Sequence, residues 1–311
     1  MCIRDSLSPA GVLGIDDKCM KTSPRPRTPC RYLPAFFNWT FVRQVGFVPW
    51  LLRYSRRQFQ KRVLRRDSRL RLPTGSWIIL PTQSASATEV YVTNANIDWG
   101  SEALFASFAN TDRDFLDVGA HIGYYATYLS PCVRRVYAFE PDRRNVPALR
   151  KNASQTGDIE VIEAAVSSFD GTASFYAGSG SAVASLENIG GPSTQITVTT
   201  IDTFVASRPD LDVCLIKTDV EGHDLQALRG MHATVAGHQP LVLTECEYSR
   251  ELSDLCDRWS YSIFAFTRDR NTLKVRFRKL LSYRDPLWTK MLFLVPQHLG
   301  NSFETLAAGR S

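Results

Sequence analysis

Residues from Trp77 onward alternate between short apolar runs and longer amphipathic stretches. Short apolar runs bounded by turn residues predict strands, and the amphipathic stretches between them predict helices. Strands and helices in alternation are typical of a doubly wound open α/β sheet, whose ligands bind at the carboxyl ends of the strands. The main predicted strands are Asp114–Val118, Arg135–Phe139, Ile159–Val166, Val213–Thr218, Pro240–Cys246, Tyr261–Phe266 and Lys290–Val295.

The stretches between these strands predict the helices that cover both faces of the sheet. Two β-like additions, Thr172–Tyr176 and Gln195–Thr200, lie between the third and fourth main strands. Basic side chains alternate within Leu273–Leu281 and predict an exposed edge hairpin, with a lid over an anionic substrate as the alternative. The predicted helices are Gly123–Ser130, Asp142–Gln155, Asp202–Ser207, Gly222–Gly230 and Tyr248–Trp259.

The ends of the chain differ from this pattern. Residues 1–31 are rich in Pro, Ser and Arg, which predicts a disordered leader. Residues 32–76 combine aromatic side chains with a basic run, which predicts a separate N-terminal arm. The α/β domain is then expected over residues 77–298, followed by a C-terminal tail over residues 299–311.

The net charge of +6 is unevenly distributed, because residues 1–71 hold 16 Lys/Arg and 4 Asp/Glu while the remainder is acidic. A basic aromatic arm favours packing against the α/β body or peripheral contact with an anionic membrane. Nucleic acid is disfavoured as a partner, since no recognition motif accompanies the charge.

The seven cysteines form no C-x-x-C pair, and no continuous apolar core typical of a signal peptide occurs in residues 1–31. Both features predict a cytoplasmic location, with membrane association as the alternative.

A glycine-rich turn follows the first main strand, in Phe115–Tyr124. Gly119 and Gly123 bracket the turn into a predicted helix, and glycine lets the backbone approach a ligand closely. Asp117 ends the strand two residues before the first glycine. A carboxylate there suits a ligand with a positive amino group and would repel a pyrophosphate.

A second carboxylate, Glu140, ends the next predicted strand 23 positions after Asp117. A carboxylate at this position can accept hydrogen bonds from both hydroxyls of a ribose. An NAD-binding fold uses a similar ribose carboxylate, but its fingerprint is G-x-G-x-x-G without an acid in the strand. The order D-x-G-x-H-x-G therefore favours S-adenosylmethionine, which carries an amine and a sulfonium, over NAD.

Four ordered blocks carry a resemblance to a known family: FLDVGAHIGYYATYLS, VYAFEPDRRNVPALRKN, IEVIEAAVSSFDGTASFY and LIKTDVEGHDLQALRG. With the element Ile196–Phe204, they make the chain resemble the FkbM-type family of S-adenosylmethionine-dependent methyltransferases over about Trp99 to Val295. The resemblance implies a Rossmann-like methyltransferase fold. Its sheet would be mostly parallel and seven-stranded, with helices on both faces and an antiparallel last strand. It also implies O-methylation of a sugar or natural-product hydroxyl.

The resemblance also implies roles for individual residues. The glycine turn would line the methionine part of S-adenosylmethionine, Glu140 would bind its ribose, and the residues after the third main strand would border its adenine. His121 departs from the family, which more often has Asn there, although both side chains can donate a hydrogen bond. The implied cofactor-binding residues are Asp117, Gly119, Ala120, His121, Gly123, Glu140, Glu163 and Ala164.

An acidic loop after the fourth main strand holds the catalytic candidates. Asp219 and Glu221 alternate at the strand end and are expected to reach the mouth of the site. Methyl transfer needs close alignment of nucleophile and methyl group, and a base that removes the hydroxyl proton. His223 is a candidate base because its ordinary pKa suits neutral pH.

Glu245 ends the fifth main strand and would place a second carboxylate beside Asp219. The two carboxylates could bind a substrate hydroxyl, act as base or hold Mg²⁺ through oxygen ligands. No ligand spacing specifies a cation, so no metal site is predicted.

The leading interpretation is therefore an O-methyltransferase acting on a small-molecule or glycan acceptor. Fold alone does not establish activity. One alternative is a membrane-associated binding protein that has a methyltransferase fold without turnover. An NAD-dependent oxidoreductase is a further alternative, and Asp117 argues against it.

Overall fold

An eight-stranded sheet lies at the centre of the fold, in a computed structural model that describes residues 39–176, 193–269, 274–284 and 288–309. The described residues from Thr40 onward belong to one compact unit. The strands, numbered along the chain, are β1 Ser68–Arg71, β2 Trp77–Leu80, β3 Asp114–Val118, β4 Val136–Phe139, β5 Ile159–Ile162, β6 Ala165–Val166, β7 Gly171–Tyr176, β8 Ser193–Thr199, β9 Val213–Thr218, β10 Leu241–Thr244, β11 Tyr261–Arg268, β12 Val275–Lys279 and β13 Trp288–Pro296.

The strand order of the large sheet is β12-β11-β13-β10-β9-β3-β4-β5. Strands β10, β9, β3, β4 and β5 pair in parallel, and β13 runs antiparallel between β10 and β11. The chain proceeds from β3 outward through β4 and β5, and returns to the other side of β3 at β9. The boundary between β3 and β9 is therefore the topological switch point, where open α/β sheets bind their ligands.

The sheet has eight strands where the resemblance implies seven. The additional strand is β12, which pairs with β11 at one edge of the sheet. Arg276 and Arg278 are exposed on it, whereas Phe277 is buried beneath. Charged side chains on an edge strand oppose pairing with other chains. The expected edge hairpin is thus confirmed, and the mostly parallel architecture with an antiparallel β13 is confirmed as well.

Four strands end level with one another at the switch point. Val118 is in register with Phe139 of β4 and with Thr218 of β9, and Thr218 is in register with Thr244 of β10. The residue after each strand therefore lies on the same edge of the sheet. The four residues in this row are Glu140, Gly119, Asp219 and Glu245.

Helices cover both faces of the sheet and bury two apolar layers. One layer packs α3–α6 and α11 against the sheet, and the other packs α7–α10 against it. Alternate residues of each strand contribute to opposite layers, as the pleat requires. The helices are α1 Trp39–Val45, α2 Phe47–Arg62, α3 Ser86–Thr93, α4 Ser101–Ala106, α5 Tyr124–Leu129, α6 Val146–Thr156, α7 Ile201–Ala206, α8 Asp224–Arg229, α9 His232–His238, α10 Arg250–Trp259 and α11 Gly300–Gly309.

The two predicted β-like additions form a separate small sheet. Strand β8 lies between β6 and β7, parallel to β6 and antiparallel to β7. Residues 177–192, which connect β7 to β8, lie outside the described part of the chain. The small sheet places Phe175 and Val166 beside the carboxyl end of the large sheet, where they border the candidate site.

Helix α2 is held to the body by a buried arginine. Arg57 is fully buried, and its guanidinium donates to Ser68 Oγ at 2.7 Å and to the Leu80 carbonyl at 3.0 Å. It also donates to the Pro81 carbonyl at 2.6 Å. Trp50 on the same face is buried and stacks on Tyr54. The buried face of α2 is therefore fixed in one orientation.

The C-terminal segment takes part in the fold, since Phe303 of α11 is fully buried among the aromatic side chains of β11–β13. None of the helices in the described ranges has the length and apolar character needed to cross a bilayer. The leader predicted over residues 1–31 lies outside the described residues.

Candidate functional site

Gly119 lets the turn after β3 lie directly against the end of β9. Its φ is +77°, and a Cβ at this position would lie 1.9 Å from the Asp219 carbonyl oxygen. The backbone N–H groups of Gly119 and Ala120 both donate to the Phe139 carbonyl, at 3.0 and 2.9 Å. The turn therefore joins the ends of β3, β4 and β9. No residue with a side chain could take the place of Gly119 without moving β9.

Asp117 lies underneath this turn and is fully buried. Its Oδ2 accepts a hydrogen bond from the Ala126 backbone N–H at 2.8 Å, so the carboxylate satisfies a first-turn donor of α5. Its Oδ1 lies 3.7 Å from the Lys217 ammonium. Burial raises the pKa of Asp117, and the charge of Lys217 opposes this rise. In this arrangement Asp117 orients the turn and does not line the cleft.

Glu140 stands at the tip of β4 and is 5% exposed. Its Oε2 accepts from the His121 N–H at 2.7 Å. Its Oε1 accepts from the Asp142 N–H at 2.9 Å and from Asn145 Nδ2 at 3.2 Å. Burial raises the pKa of Glu140 to about 7 despite these hydrogen bonds. The carboxyl group is thus held rigidly at the cleft wall and titrates near neutral pH.

The cleft at the switch point is acidic on one side and apolar on the other. Its charged wall holds four carboxylates, on Glu140, Asp142, Asp219 and Glu221, and no Lys or Arg occurs among the described residues that line it. Its apolar wall comes from the ends of β4, β6 and β7. The lining residues are Ser86, Gly119, His121, Phe139, Glu140, Pro141, Asp142, Asn145, Ala164, Ala165, Val166, Phe175, Asp219, Val220, Glu221 and His223.

Seven of the twelve residues singled out in the sequence line this cleft: Gly119, His121, Glu140, Ala164, Asp219, Glu221 and His223. Five do not. Ala120 and Gly123 lie within the turn, and Gly123 packs against Leu149 of α6. Glu163 is exposed and forms an ion pair with Arg150, which turns it outward. Asp117 lies below the turn, and Glu245 is exposed to solvent at the end of β10, next to Asp219 at the end of β9. Their predicted roles in cofactor binding and catalysis stay predictions.

Lys217 is the central charged residue that the sequence analysis did not single out. Its ammonium is buried, donates to the Gly119 carbonyl at 3.0 Å, and lies 3.3 Å from Asp219 Oδ2. Burial alone would lower the pKa of Lys217, but the carboxylates of Asp219 and Asp117 outweigh burial and raise it. Lys217 therefore stays charged and joins both acids to the turn. The K-x-D spacing along β9 was the signal, since alternate strand residues share a face.

Asp219 and Glu245 form a carboxyl pair at the ends of β9 and β10. Burial would raise the pKa of Asp219, but the charge of Lys217 and a hydrogen bond from Glu245 lower it overall. The pKa of Glu245 is raised by partial desolvation and by the neighbouring Asp219, although the residue is exposed to solvent. The interaction between the two carboxyl groups thus favours the ionised form of Asp219 and the protonated form of Glu245.

Glu221 and His223 lie on the strained loop that follows. Glu221 adopts a φ of +49°, which is uncommon for a residue with a side chain. Partial desolvation and the charges of Asp219 and Asp224 raise the pKa of Glu221 to about 7. His223 Nε2 lies 2.9 Å from Ser167 Oγ, so this nitrogen is engaged with β6 and the loop beyond it. The raised pKa brings Glu221 into the range expected of a general base at neutral pH.

Within the described ranges, no group of three or more His, Cys, Asp or Glu side chains could hold a metal ion.

An open α/β sheet with a glycine turn at its switch point and a carboxylate at the end of the neighbouring strand is the arrangement of Rossmann-like folds, a class that includes methyltransferases. The family model of the methyltransferase FkbM domain matches residues 117–270, so this part of the chain is an FkbM methyltransferase domain. The resemblance inferred from the four sequence blocks is thereby confirmed.

Known proteins similar to this chain include the hexuronic acid methyltransferase AglP of Haloferax volcanii, which is 32% identical over 135 residues. That match covers 41% of this chain and 54% of the relative, so the chain spans about half the length of the curated relative. A solved methyltransferase FkbM of Methylobacillus flagellatus is 18% identical with a TM-score of 0.39, covering 67% of this chain and 52% of that one. A putative methyltransferase of Streptococcus mutans, solved with SAH, is 8% identical with a TM-score of 0.35, covering 63% and 96%.

Proposed function

We propose that this protein is an S-adenosylmethionine-dependent O-methyltransferase whose acceptor is a sugar hydroxyl. The observation that carries the proposal is the row of acids on level strand ends, with Glu140 on one side of Gly119 and Asp219 on the other. Glu140 suits the ribose of the cofactor, and the acids around Asp219 suit its positive groups. The family and the sugar-modifying relative point in the same direction.

The residues of the cleft fit this cofactor. A sulfonium and an amine are positive, and the charged wall presents four carboxylates. An adenine ring needs apolar surface, which Phe139, Val166 and Phe175 supply. NAD fits less well, because its diphosphate would face the same carboxylates without an Arg or Lys among the described lining residues.

When bound, S-adenosylmethionine supplies an electrophilic methyl group on sulfur. An acceptor hydroxyl that takes this methyl group would have to give its proton to a base beside it. We assign Glu221 as the base, because its raised pKa makes it a better proton acceptor than Asp219. Asp219 stays ionised beside Lys217 and would accept a hydrogen bond from the incoming hydroxyl.

Replacing Glu221 with Gln is expected to lower kcat by about 10²–10⁴-fold, the usual contribution of a general base. In the unchanged protein, kcat should rise as the pH increases through about 7, since Glu221 must be ionised to accept a proton. Rate measurements from pH 6 to about 9 should lose this rise in the E221Q variant. A variant that keeps both the rate and the pH profile would reject Glu221 as the base.

The affinity for S-adenosylmethionine is expected to fall as the pH drops through about 7. The pKa of Glu140 lies near this value, and a protonated carboxyl has fewer acceptor sites for the ribose hydroxyls. Calorimetric titration at several pH values measures the effect, and E140Q should reduce it, leaving the smaller contribution of Glu221. Burial lowers the pKa of His121, so its protonation would weaken binding only at still lower pH. A pH-independent affinity would argue against an ionised Glu140 at the ribose.

We further propose that the acceptor carries an acidic sugar, as the name of the Haloferax relative suggests. A second pocket at the same edge of the sheet holds Arg43, Arg268 and Lys274, with no Asp or Glu among its described lining residues. The Arg268 guanidinium lies over the rings of Trp99 and Trp288, at 5.3 and 5.5 Å. Three strand spacings separate β11 from β9, or about 14 Å. A carboxylate bound there would belong to a sugar beyond the methylated one.

Label transfer from S-adenosylmethionine to uronic-acid oligosaccharides tests this acceptor class. Matched oligosaccharides whose carboxyl groups have been reduced to alcohols present the same ring hydroxyls without the charge. We expect a lower KM for the acidic oligosaccharides than for the reduced ones. The KM for the acidic oligosaccharides should rise in the R43Q variant. Equal KM values for both series would reject the hypothesis that the acceptor is acidic. They would not contradict the proposal that the protein transfers a methyl group.

We also propose a cytoplasmic location. The cysteines within the described ranges are all unpaired, as expected in a reducing compartment: Cys132, Cys214, Cys246 and Cys256.

A further inference from the structure

The outer face of α2 is apolar and open to solvent. Val48, Leu52 and Phe59 are 62%, 66% and 54% exposed, and Val63 continues the same line just past the end of the helix. Their spacing of four and seven residues places them on one face. Phe47 and Leu51 widen this face on one side. Seven of the eleven large exposed hydrophobic side chains in the described ranges fall between residues 47 and 64.

We name these residues the α2 patch: Phe47, Val48, Leu51, Leu52, Phe59 and Val63. Clusters of exposed apolar side chains are uncommon on soluble proteins and mark interaction sites. The patch is rigid, because Arg57 and Trp50 fix the opposite face of the helix. Arg53 adds a hydrogen bond to the Val92 carbonyl of α3 at 3.2 Å.

The charge around the patch is of one sign. Residues 39–66 contain eight Lys/Arg and no Asp or Glu. Of these cations, Arg56, Arg62, Arg65 and Arg66 are exposed beside or just after the patch. An apolar helix face flanked by cations is the pattern of helices that lie in the interface of an anionic bilayer.

From this combination we propose that the α2 patch docks the protein onto an anionic lipid surface. Two other occupants fit the charge less well. In a dimer formed through this patch, the cations of one copy would face the same cations of the other copy and repel them. Residues 1–38 of this chain carry six Lys/Arg and three Asp/Glu, so they would add positive charge to a positive surface. A bilayer with acidic headgroups supplies both the apolar interior and the compensating charge.

Docking would bring the acceptor side of the site close to the membrane. Helix α1 leads directly into α2, and its Gln44 donates to the Asn96 carbonyl at the loop before α4. The next residues of that loop include Asp98, whose carboxylate accepts from Tyr125 at 2.7 Å near Lys217. Arg43 and Gln44 of α1 also line the basic pocket proposed for the acidic sugar, so an acceptor attached to a lipid could reach that pocket from the α2 side.

Co-sedimentation of the full chain with vesicles tests the proposal. The probes are vesicles of phosphatidylcholine alone and of phosphatidylcholine with about one-third phosphatidylglycerol. We expect binding to the anionic vesicles only, weakened by salt. The double variant L52S/F59S removes two exposed side chains of the patch and should bind at least about tenfold more weakly. The double variant R62Q/R66Q should bind more weakly and with less dependence on salt.

The matched control is F169S/L281S, which removes two exposed hydrophobic side chains elsewhere and should bind within about twofold of the unchanged chain. Failure of the unchanged chain to bind anionic vesicles, or equal binding by L52S/F59S, would overturn the proposal. A dimer in light scattering that L52S/F59S dissociates would assign the patch to a second copy. Hydrogen exchange protection of residues 47–63 without vesicles, in a monomer, would assign it to the chain's own residues 1–38. S-adenosylmethionine binding is measured on the same samples. Cofactor binding without vesicle binding would reject the docking proposal alone, and vesicle binding without cofactor binding would reject the proposed function alone.

Discussion

Replacing Lys217 with methionine is expected to destabilise the protein by about 3–5 kcal/mol, the cost of breaking a buried ion pair from one side. Lys217 is the cation that faces both Asp117 and Asp219, and its loss leaves two carboxylates without compensation. The hydrogen bond to the Gly119 carbonyl is lost as well. Urea denaturation measures the loss of unfolding free energy. The glycine turn should loosen at the same time and weaken cofactor binding.

The control for Lys217 is a lysine in an exposed ion pair. Lys151 lies 2.8 Å from Asp67, and its side chain is 54% exposed. K151M should therefore cost less than about 1 kcal/mol. In K217M the folded-state pKa values of both acids should rise above their unfolded values. The loss of unfolding free energy caused by K217M should therefore be smaller at low pH, where the acids are protonated, and larger above neutral pH. Equal destabilisation by K217M and K151M would show that the buried ammonium does not hold the site together.

Replacing Gly119 with alanine is expected to abolish cofactor binding and to lower stability by about 2–5 kcal/mol. The added Cβ would lie 1.9 Å from the Asp219 carbonyl oxygen, and this oxygen belongs to backbone that cannot rotate away. Part of the cost comes from the positive φ alone, about 1–2 kcal/mol. The remainder comes from forcing β9 away from the turn, which also displaces Asp219 from the cleft.

Gly157 separates the two parts of this cost. Its φ of +89° resembles that of Gly119, but nothing lies within 4 Å of the position of its Cβ. G157A therefore measures the backbone cost without the collision, at a site remote from the cleft. Thermal unfolding and calorimetric titration of both variants provide the comparison. If G119A loses no more stability than G157A and still binds cofactor, the close approach of the turn to β9 is not required.

The sequence predicted most of the large sheet because its strands are continuous apolar runs, such as Val213–Thr218. Helices cover both faces of each of these strands, so nearly all of its side chains are buried and apolar. The apolar run is therefore visible in the sequence. The edge strand β12 was expected only as a hairpin, since alternating exposed cations do not reveal which strand they pair with. Helix α9 was not predicted, because Val235 is the one buried apolar side chain in it, and a single buried position gives no helical period.

The site was predictable where it depends on strand ends and not where it depends on distant contacts. Glu140 and Asp219 follow directly from the ends of two strands, and both line the cleft. The orientation of Asp117 depends on Ala126 and on Lys217, which lies 100 positions away in the chain. Ser86 and Phe175 reach the cleft from elements whose position the local pattern does not determine. The positions of these side chains depend on how distant elements pack together, and the local sequence pattern does not determine that packing.

Calorimetric titration of the full chain at about pH 8 with S-adenosylmethionine, and separately with NAD, tests the central claim most directly. The account predicts one binding site for S-adenosylmethionine, weakened by at least about tenfold in E140Q, and no measurable binding of NAD. Binding of NAD without S-adenosylmethionine, or of neither ligand by the unchanged protein, would contradict it.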